Sequence, residues 1–207
     1  MTESTFRYEN VEITWLKHAG FRIKNSVVIY IDPYEVTELE KADLILITHD
    51  HFDHLDMRSI RILAKSDTIV VHPKGCVVEG YKTYEISIGE TTNVKGVEIK
   101  AVPAYNIDKP YHKKGCCVGY VVKVDNVRIY HAGDTDRIPE MKEIEVDIAL
   151  FPIGGTYTMD VDEAIEATKD IKAKFFIPMH YGEIGLKADP GKFKASVENA
   201  VILKPSL

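Results

Sequence analysis

Residues 48–56 read Thr48-His49-Asp50-His51-Phe52-Asp53-His54-Leu55-Asp56. Three of the chain's eight histidines fall inside this run, with Asp53 among them. Imidazole and carboxylate are the side chains that hold zinc and other borderline metals. An apolar run, Leu44–Thr48, leads straight in, and a helix-like run, Met57–Lys65, follows. Ligands in such a strand-to-helix turn sit on a stiff base and can all point one way. A solvated polar turn is the bland alternative, and the density of ligating groups argues against it.

Outward from this turn, alternating and β-branched runs predict a strand-rich first half. Val11–Leu16, Phe21–Lys24 and Val27–Ile31 read as strands, with turns at Lys17–Gly20 and Asn25-Ser26. Thr68–His72 is another strand, and Tyr84–Ile88, Thr91–Val94 and Val97–Val102 form a meander punctuated by Gly89 and Gly96. Cys117–Val124 and Val127–His131 flank the hairpin pair Asp125-Asn126. Then come a strand at Ile148–Pro152, an amphipathic helix at Val161–Ile171 and a strand at Lys174–Pro178. Asp160 can cap that helix, with Glu163 completing a capping box. A last helix is expected within Pro190–Asn199, and Val201–Lys204 closes an edge. No Pro/Gly/Ser-rich linker interrupts residues 1–207, so one domain is expected. Periodicity alone says mixed α and β, with two strand-rich halves that suit two packed sheets with helices outside.

Composition narrows the function classes. The 207 residues are 45% hydrophobic and 28% charged, ordinary for a globular protein with a sizeable core. Lys and Arg number 26 against 32 Asp and Glu, a net charge of −6, which ranks a broad phosphate-gripping nucleic-acid face low. No apolar run approaches the ~20 residues of a membrane span, and the opening MTESTFRYEN lacks a signal peptide's apolar segment. A cytoplasmic location is the expectation. Cys76, Cys116 and Cys117 form no CxxC; a disulfide framework is not expected, and Cys116 and Cys117 read as buried small hydrophobes.

More chemistry-bearing residues stand at strand ends. In Ala132-Gly133-Asp134-Thr135, Gly133 lets the backbone turn sharply and Asp134 projects from the strand; an ordinary Asx turn is the alternative. His180 follows Ile177-Pro178-Met179 in the same way, and His112 lies in a polar, lysine-bearing loop. His18 occupies a hairpin turn and is a candidate for a supporting or substrate-contact role. Asp32, before Pro33, can orient a ligand imidazole, which needs its other N–H fixed; turn initiation is the sober reading. His131, just before Gly133-Asp134, is a supporting candidate, and His72 reads as structural. The paired Gly154-Gly155 permit close backbone approach before a helix start.

The run His49-x-His51-x-Asp53-His54 resembles the signature of the metallo-beta-lactamase fold superfamily. The resemblance implies a four-layer αββα sandwich. Carried over, His49 and His51 would hold one metal, while Asp53 and His54 would hold a second. Members doing di-iron redox chemistry place glutamate where His51 stands, so histidine there points to the hydrolytic branch. Gly133-Asp134-Thr135 looks like the family's Gly-Asp-Thr motif, whose aspartate bridges both metals, and His180 matches the final ligand of metal two. Many members carry another histidine after the strand that corresponds to Val97–Val102; Tyr105 or Asn106 stands there instead, and His112 is the candidate replacement. Tyr-His-Ala-Gly-Asp-Thr and Ile-Gly-Gly-x-x-Thr-Met together resemble a branch of metal-dependent hydrolases near the ascorbate-phosphate lactonase and the N-acyl-phosphatidylethanolamine phospholipase. The likeness runs from Val11 to Gly182.

The resemblance implies a hydrolase with two divalent ions, zinc by default, with manganese, iron or nickel accepted by the same N/O ligands. A water between the ions would lose its proton near neutral pH and attack carbonyl carbon or phosphorus, with Asp53 and Asp134 as the catalytic carboxylates. Tyr105, Tyr157 and Thr158 are candidate oxyanion or substrate contacts. The expected substrate is a small ester, lactone or amide, phosphorylated ones included. Phosphodiesterase or nuclease activity ranks below it, since the chain is short for an added RNA-gripping arm. Rivals from other classes are a non-catalytic metal-dependent ligand-binding protein and an iron-dependent oxygenase. Oligomeric state is not written in the motifs.

Overall fold

Val28, Ile29, Tyr30 and Ile31 are all buried, yet they serve two different cores. Ile29 and Ile31 join one apolar cluster while Val28 and Tyr30 join another, because successive strand side chains point to opposite faces. Such a run is apolar throughout because the strand is covered on both sides. The same division recurs at Ile148-Ala149-Leu150-Phe151, whose odd and even members also enter different clusters.

These strands belong to two mixed sheets in a computed structural model that describes residues 3–184 and 186–207. The first sheet runs in chain order through β1 (Thr5–Tyr8), β2 (Val11–Lys17), β3 (Gly20–Lys24), β4 (Val28–Ile31), β5 (Leu44–Leu46), β6 (Ile69–Pro73) and β7 (Lys82–Ile86). β1–β4 pair antiparallel and β4–β7 parallel. The second contains β8 (Thr91–Val94), β9 (Val97–Ala104), β10 (Cys117–Val124), β11 (Val127–His131), β12 (Ile148–Pro152) and β13 (Phe175–Met179), again as neighbours in order. Here β8–β11 pair antiparallel and β11–β13 parallel.

The central core, with Trp15, Phe21, Ile29, Tyr120, Ile129 and Leu150, draws on both sheets and lies between them. On the outer face of the first sheet, Ile60 and Leu63 of α1 (Met57–Leu63) cover Tyr30, Ile45 and Val70. On the outer face of the second, α2 (Val161–Thr168), α3 (Pro190–Ser196) and a 3₁₀ turn at Pro139–Glu143 cover Tyr130, Phe151 and Phe176. The layers are therefore helix, sheet, sheet, helix, the αββα sandwich that the resemblance implied. Among the described residues no helix is long and apolar enough to cross a membrane.

Several sequence expectations shift locally. β5 ends at Leu46 rather than Thr48, because the next groups leave the ladder: Ile47 O accepts from Tyr120 Oη at 2.7 Å and Thr48 N–H donates to Asp32 Oδ1 at 2.8 Å. Thr5–Tyr8 pairs with β2 although its short polar-apolar pattern gave no signal. α2 stops at Thr168, three residues early, and Val201–Lys204 forms no strand. Asp160 does cap α2 by accepting from Glu163 N–H at 2.8 Å, but Glu163 does not complete the box: its Oε1 accepts from Arg137 N–H at 2.7 Å. Only Cys117 enters β10; Cys116 stays in the preceding turn and is exposed, contrary to the buried expectation.

Candidate metal centre

One end of the sandwich collects the chemistry. Asp32 follows β4, residues 48–54 follow β5, Asp134 follows β11 and His180 follows β13, all at carboxyl ends of parallel strands. The β2–β3 turn brings His18 and the β9–β10 loop brings His112 to the same end. Ligands gather outside the carboxyl ends of strands in open α/β sheets because loops there are free to vary while the strands stay stiff.

Two groups of ligating atoms result. In the first, His49 Nε2 lies 3.0 Å and His112 Nε2 3.2 Å from His51 Nδ1. In the second, His18, Asp53, His54 and His180 each place one ligating atom within 4.8 Å of the others. His18 Nε2 is 3.0 Å from Asp53 Oδ2. Asp134 stands between the groups: its Oδ2 is 3.4 Å from His112 Nε2 and 3.0 Å from His180 Nε2, and its Oδ1 is 3.4 Å from His54 Nε2.

Outer contacts decide which lone pairs face the centre. Asp32 Oδ2 accepts from Thr48 Oγ1 at 2.6 Å and lies 2.7 Å from His54 Nδ1, so that nitrogen carries the proton. Thr48 Oγ1, its own proton spent on Asp32, is free to accept from His49 Nδ1 at 3.0 Å. Asn106 Oδ1 takes His112 Nδ1–H at 3.1 Å, while its amide donates to Asp136 Oδ1 and Tyr157 O at 3.0 and 2.9 Å. Each arrangement puts a proton on the outer nitrogen and turns Nε2 inward.

Whether these residues suit a cation can be tested on the buried polar atoms. His54 Nε2, Asp134 Oδ1 and His180 Nε2 are buried without any hydrogen-bond partner, the Asp134–His180 approach at 3.0 Å being misaligned for one. Each such orphan costs ~1–3 kcal/mol, and more for a charged group, unless something else satisfies it. A carboxylate flanked by inward imidazole lone pairs is a donor set for a divalent ion, and the residues fit.

Electrostatics favour the ligating form for most members, His54 excepted, where Asp134 and Asp32 outweigh burial and raise it. Burial alone would raise the Asp53 carboxyl, but the His18 hydrogen bond and neighbouring His54 outweigh it and hold it at about 2. Burial would also raise Asp134, yet His180 and His54 keep it well below the ordinary range. Burial pushes His49 well below 6.5 and lowers His112, favouring the neutral, ligating form. Three non-glycine members hold left-handed backbone, His18 (φ 50°), Asp32 (φ 45°) and His180 (φ 60°). Strain of that kind persists where surrounding structure over-determines it. At Gly133 (φ 64°) a Cβ would stand 2.7 Å from Val118 O, so the turn that aims Asp134 admits only glycine.

His49, His51, Asp53, His54, Asp134, His180 and His112 thus all converge. His18, expected only in a supporting or substrate-contact role, joins the second group directly. Asp32 lies against the His54 imidazole, 2.7 Å from its Nδ1. His131 is fully buried, donates from Nε2 to Ala19 O at 2.8 Å and accepts from Gly133 N–H at 3.2 Å, tying the His18 turn to the Asp134 turn. Tyr157 lines the adjoining pocket. Tyr105 is a correction: its hydroxyl points away to Glu140 Oε2 at 3.0 Å, and its backbone instead braces Thr135 and Asp136. Thr158 is another: it is fully buried, its hydroxyl meets Met159 O, and it does not line the pocket. Thr48 and Asn106 were missed; a threonine beside a ligand and an asparagine at a ligand's expected place were the available signals.

Fold and site together define a member of the beta-lactamase superfamily: the model of the beta-lactamase superfamily domain matches residues 12–180, and the chain belongs to that family. The chain is 37% identical over 213 residues to a UPF0173 metal-dependent hydrolase of Pelotomaculum thermopropionicum, covering 92% of this chain and 93% of the relative. It is 39% identical over 220 residues to one of Pyrococcus furiosus, covering 94% and 97%. A crystal structure of a metal-dependent hydrolase from Parabacteroides distasonis superposes with a TM-score of 0.83 at 32% identity, covering 97% of this chain and 98% of that one.

Proposed function

We propose that this protein is a dinuclear metal-dependent hydrolase, with zinc as the default metal, acting on a small ester, lactone or amide. The observation that carries the reading is the set of unpartnered, buried atoms on His54, Asp134 and His180 at the meeting point of two histidine-rich groups. His49, His51 and His112 would hold one ion and His18, Asp53, His54 and His180 the other, with Asp134 shared. Ions held there would lower the pKa of a coordinated water and polarise the oxygen that gains charge in the reaction.

The chain's own groups prepare that chemistry. Asp32, Thr48 and Asn106 keep imidazole protons on the outer nitrogens and lone pairs inward. Asp53, held at about 2, remains a carboxylate at neutral pH and serves as an anionic ligand more readily than as a proton store. A pocket of about 230 Å³ opens directly on His51, Asp53, His112 and Asp134, which suits a small molecule.

Metal analysis and side-by-side assays test the reading. Zinc-reconstituted protein should hold two ions per chain and turn over lactones or carboxylic esters, with activity lost on chelation and in Asp134→Ala. Turnover confined to bis-aryl phosphodiesters, or retained in Asp134→Ala, would overturn it.

A further inference from the structure

The pocket beside the histidines has a polar floor and an apolar wall. Phe52, Tyr111, Tyr157 and Ile184 complete its lining, and among the described residues no lysine or arginine contributes. Phe52, Tyr111 and Ile184 are 68%, 45% and 42% exposed, large apolar side chains left in water around one opening. Apolar groups gathered at one place, rather than scattered singly, mark a contact surface. Two aromatic pairs steady the wall: Tyr111 meets Tyr157 edge-on at 4.7 Å between centroids, and Phe52 meets Tyr34 at 6.2 Å. Ile184 holds φ 52°, a backbone state that a β-branched side chain rarely adopts.

Three lysines near this end are engaged elsewhere, while Lys113 and Lys187 are exposed and do not line the pocket. Lys109 Nζ is bound to Asp136 Oδ1 and Thr158 O, Lys114 to Glu140, and Lys17 to Glu35. A phosphorylated substrate would therefore find no basic side chain in the lining to meet a charge remote from the ions. The volume, below the ~300–1,000 Å³ of drug-sized pockets, accommodates one ring or a short chain.

We infer that the Phe52–Tyr111–Tyr157–Ile184 wall is a subsite for an uncharged aryl or short alkyl group next to the scissile bond. The substrate class is then a neutral ester or lactone with an apolar acyl part, and not a phosphorylated metabolite. The inference rests on the hydrolase reading for its chemistry, but its binding component is separable. Each methylene seated on such a wall strengthens binding about fourfold.

The test is calorimetric titration of zinc-loaded protein with acetate, butyrate, hexanoate, phenylacetate and phosphoglycolate. Affinity should climb about fourfold per methylene from acetate to hexanoate. Phe52→Ala and Tyr111→Ala, both at exposed positions, should flatten that climb. In parallel, kcat/KM on p-nitrophenyl esters should rise with acyl length, and the two variants should lose the rise through KM. Equal binding along the series, or phosphoglycolate held more tightly than hexanoate, overturns the subsite and leaves the hydrolase reading to its own assay. Preserved chain-length dependence without any turnover supports the subsite and sinks the hydrolase reading alone.

Discussion

Asp32 Oδ2 lies 2.7 Å from Nδ1 of His54, and both side chains are fully removed from solvent. The same carboxylate takes the Thr48 hydroxyl and backbone N–H. One residue, 22 positions from its histidine, therefore sets the tautomer of His54 and, through Thr48, that of His49.

Asp32→Asn tests this relay. Asparagine tolerates the left-handed backbone at φ 45°, so the fold should survive. Losing one anionic acceptor should weaken zinc binding by about 10–100-fold. Competition with a fluorescent chelator measures it, and wild-type affinity would remove Asp32 from the relay.

Asn106 clamps His112 through both its backbone and its ring nitrogen. Asn106→Ala should therefore reduce metal content from two ions per chain toward one, with His112→Ala giving the same result. Elemental analysis after dialysis reads this. Two tightly held ions in both variants would mean that His112 is no ligand.

Gly154 faces His180 closely: an added Cβ would stand 2.3 Å from His180 O and 3.3 Å from its Nδ1. Gly154→Ala should cost roughly 1–3 kcal/mol and displace His180, lowering metal content as well. Gly89, at φ 86° with open space around it, supplies the contrast. Gly89→Ala should cost about 1–3 kcal/mol of backbone strain and leave metal content intact. Thermal melts and metal analysis of the two variants distinguish site from scaffold.

Acid should destabilise the chelated protein through its histidines. Burial lowers His18, His49, His112 and His131 below 6.5; only His54, where Asp134 and Asp32 outweigh burial, is raised. A histidine with a depressed native value gives up stability as pH falls through 6.5, because the unfolded chain then binds more protons. Four such groups against one fix the sign. Denaturant melts from pH 7.5 to 5.5 should show falling stability, and metal retention should fall in parallel as protons compete for the ligands. A flat or rising profile would contradict the burial of neutral imidazoles.

Most strands could be read from period-two alternation, and β4, β5 and β12 from continuous apolar runs, because those patterns record which faces are covered. The end of β5 moved because a side chain took over the ladder's hydrogen bond, Asp32 at Thr48. Tyr105 was misjudged for the reason Asn106 was overlooked. Both stand after β9, and only packing turns the Tyr105 hydroxyl to Glu140 while pointing the Asn106 carbonyl at His112.

From sequence alone came the histidine-rich turn, the glycine that aims Asp134 and the strand that delivers His180, since each depends on neighbours within a few residues. Tertiary structure decided that His18 and His112 join them, which nitrogen each imidazole presents, and that the flanking wall is apolar. The arrival of His18 and His112 depends on contacts across 35 and 61 positions, with Asp53 and His51, and the tautomer of His54 on Asp32, 22 positions away; local chain stiffness carries no information over such separations.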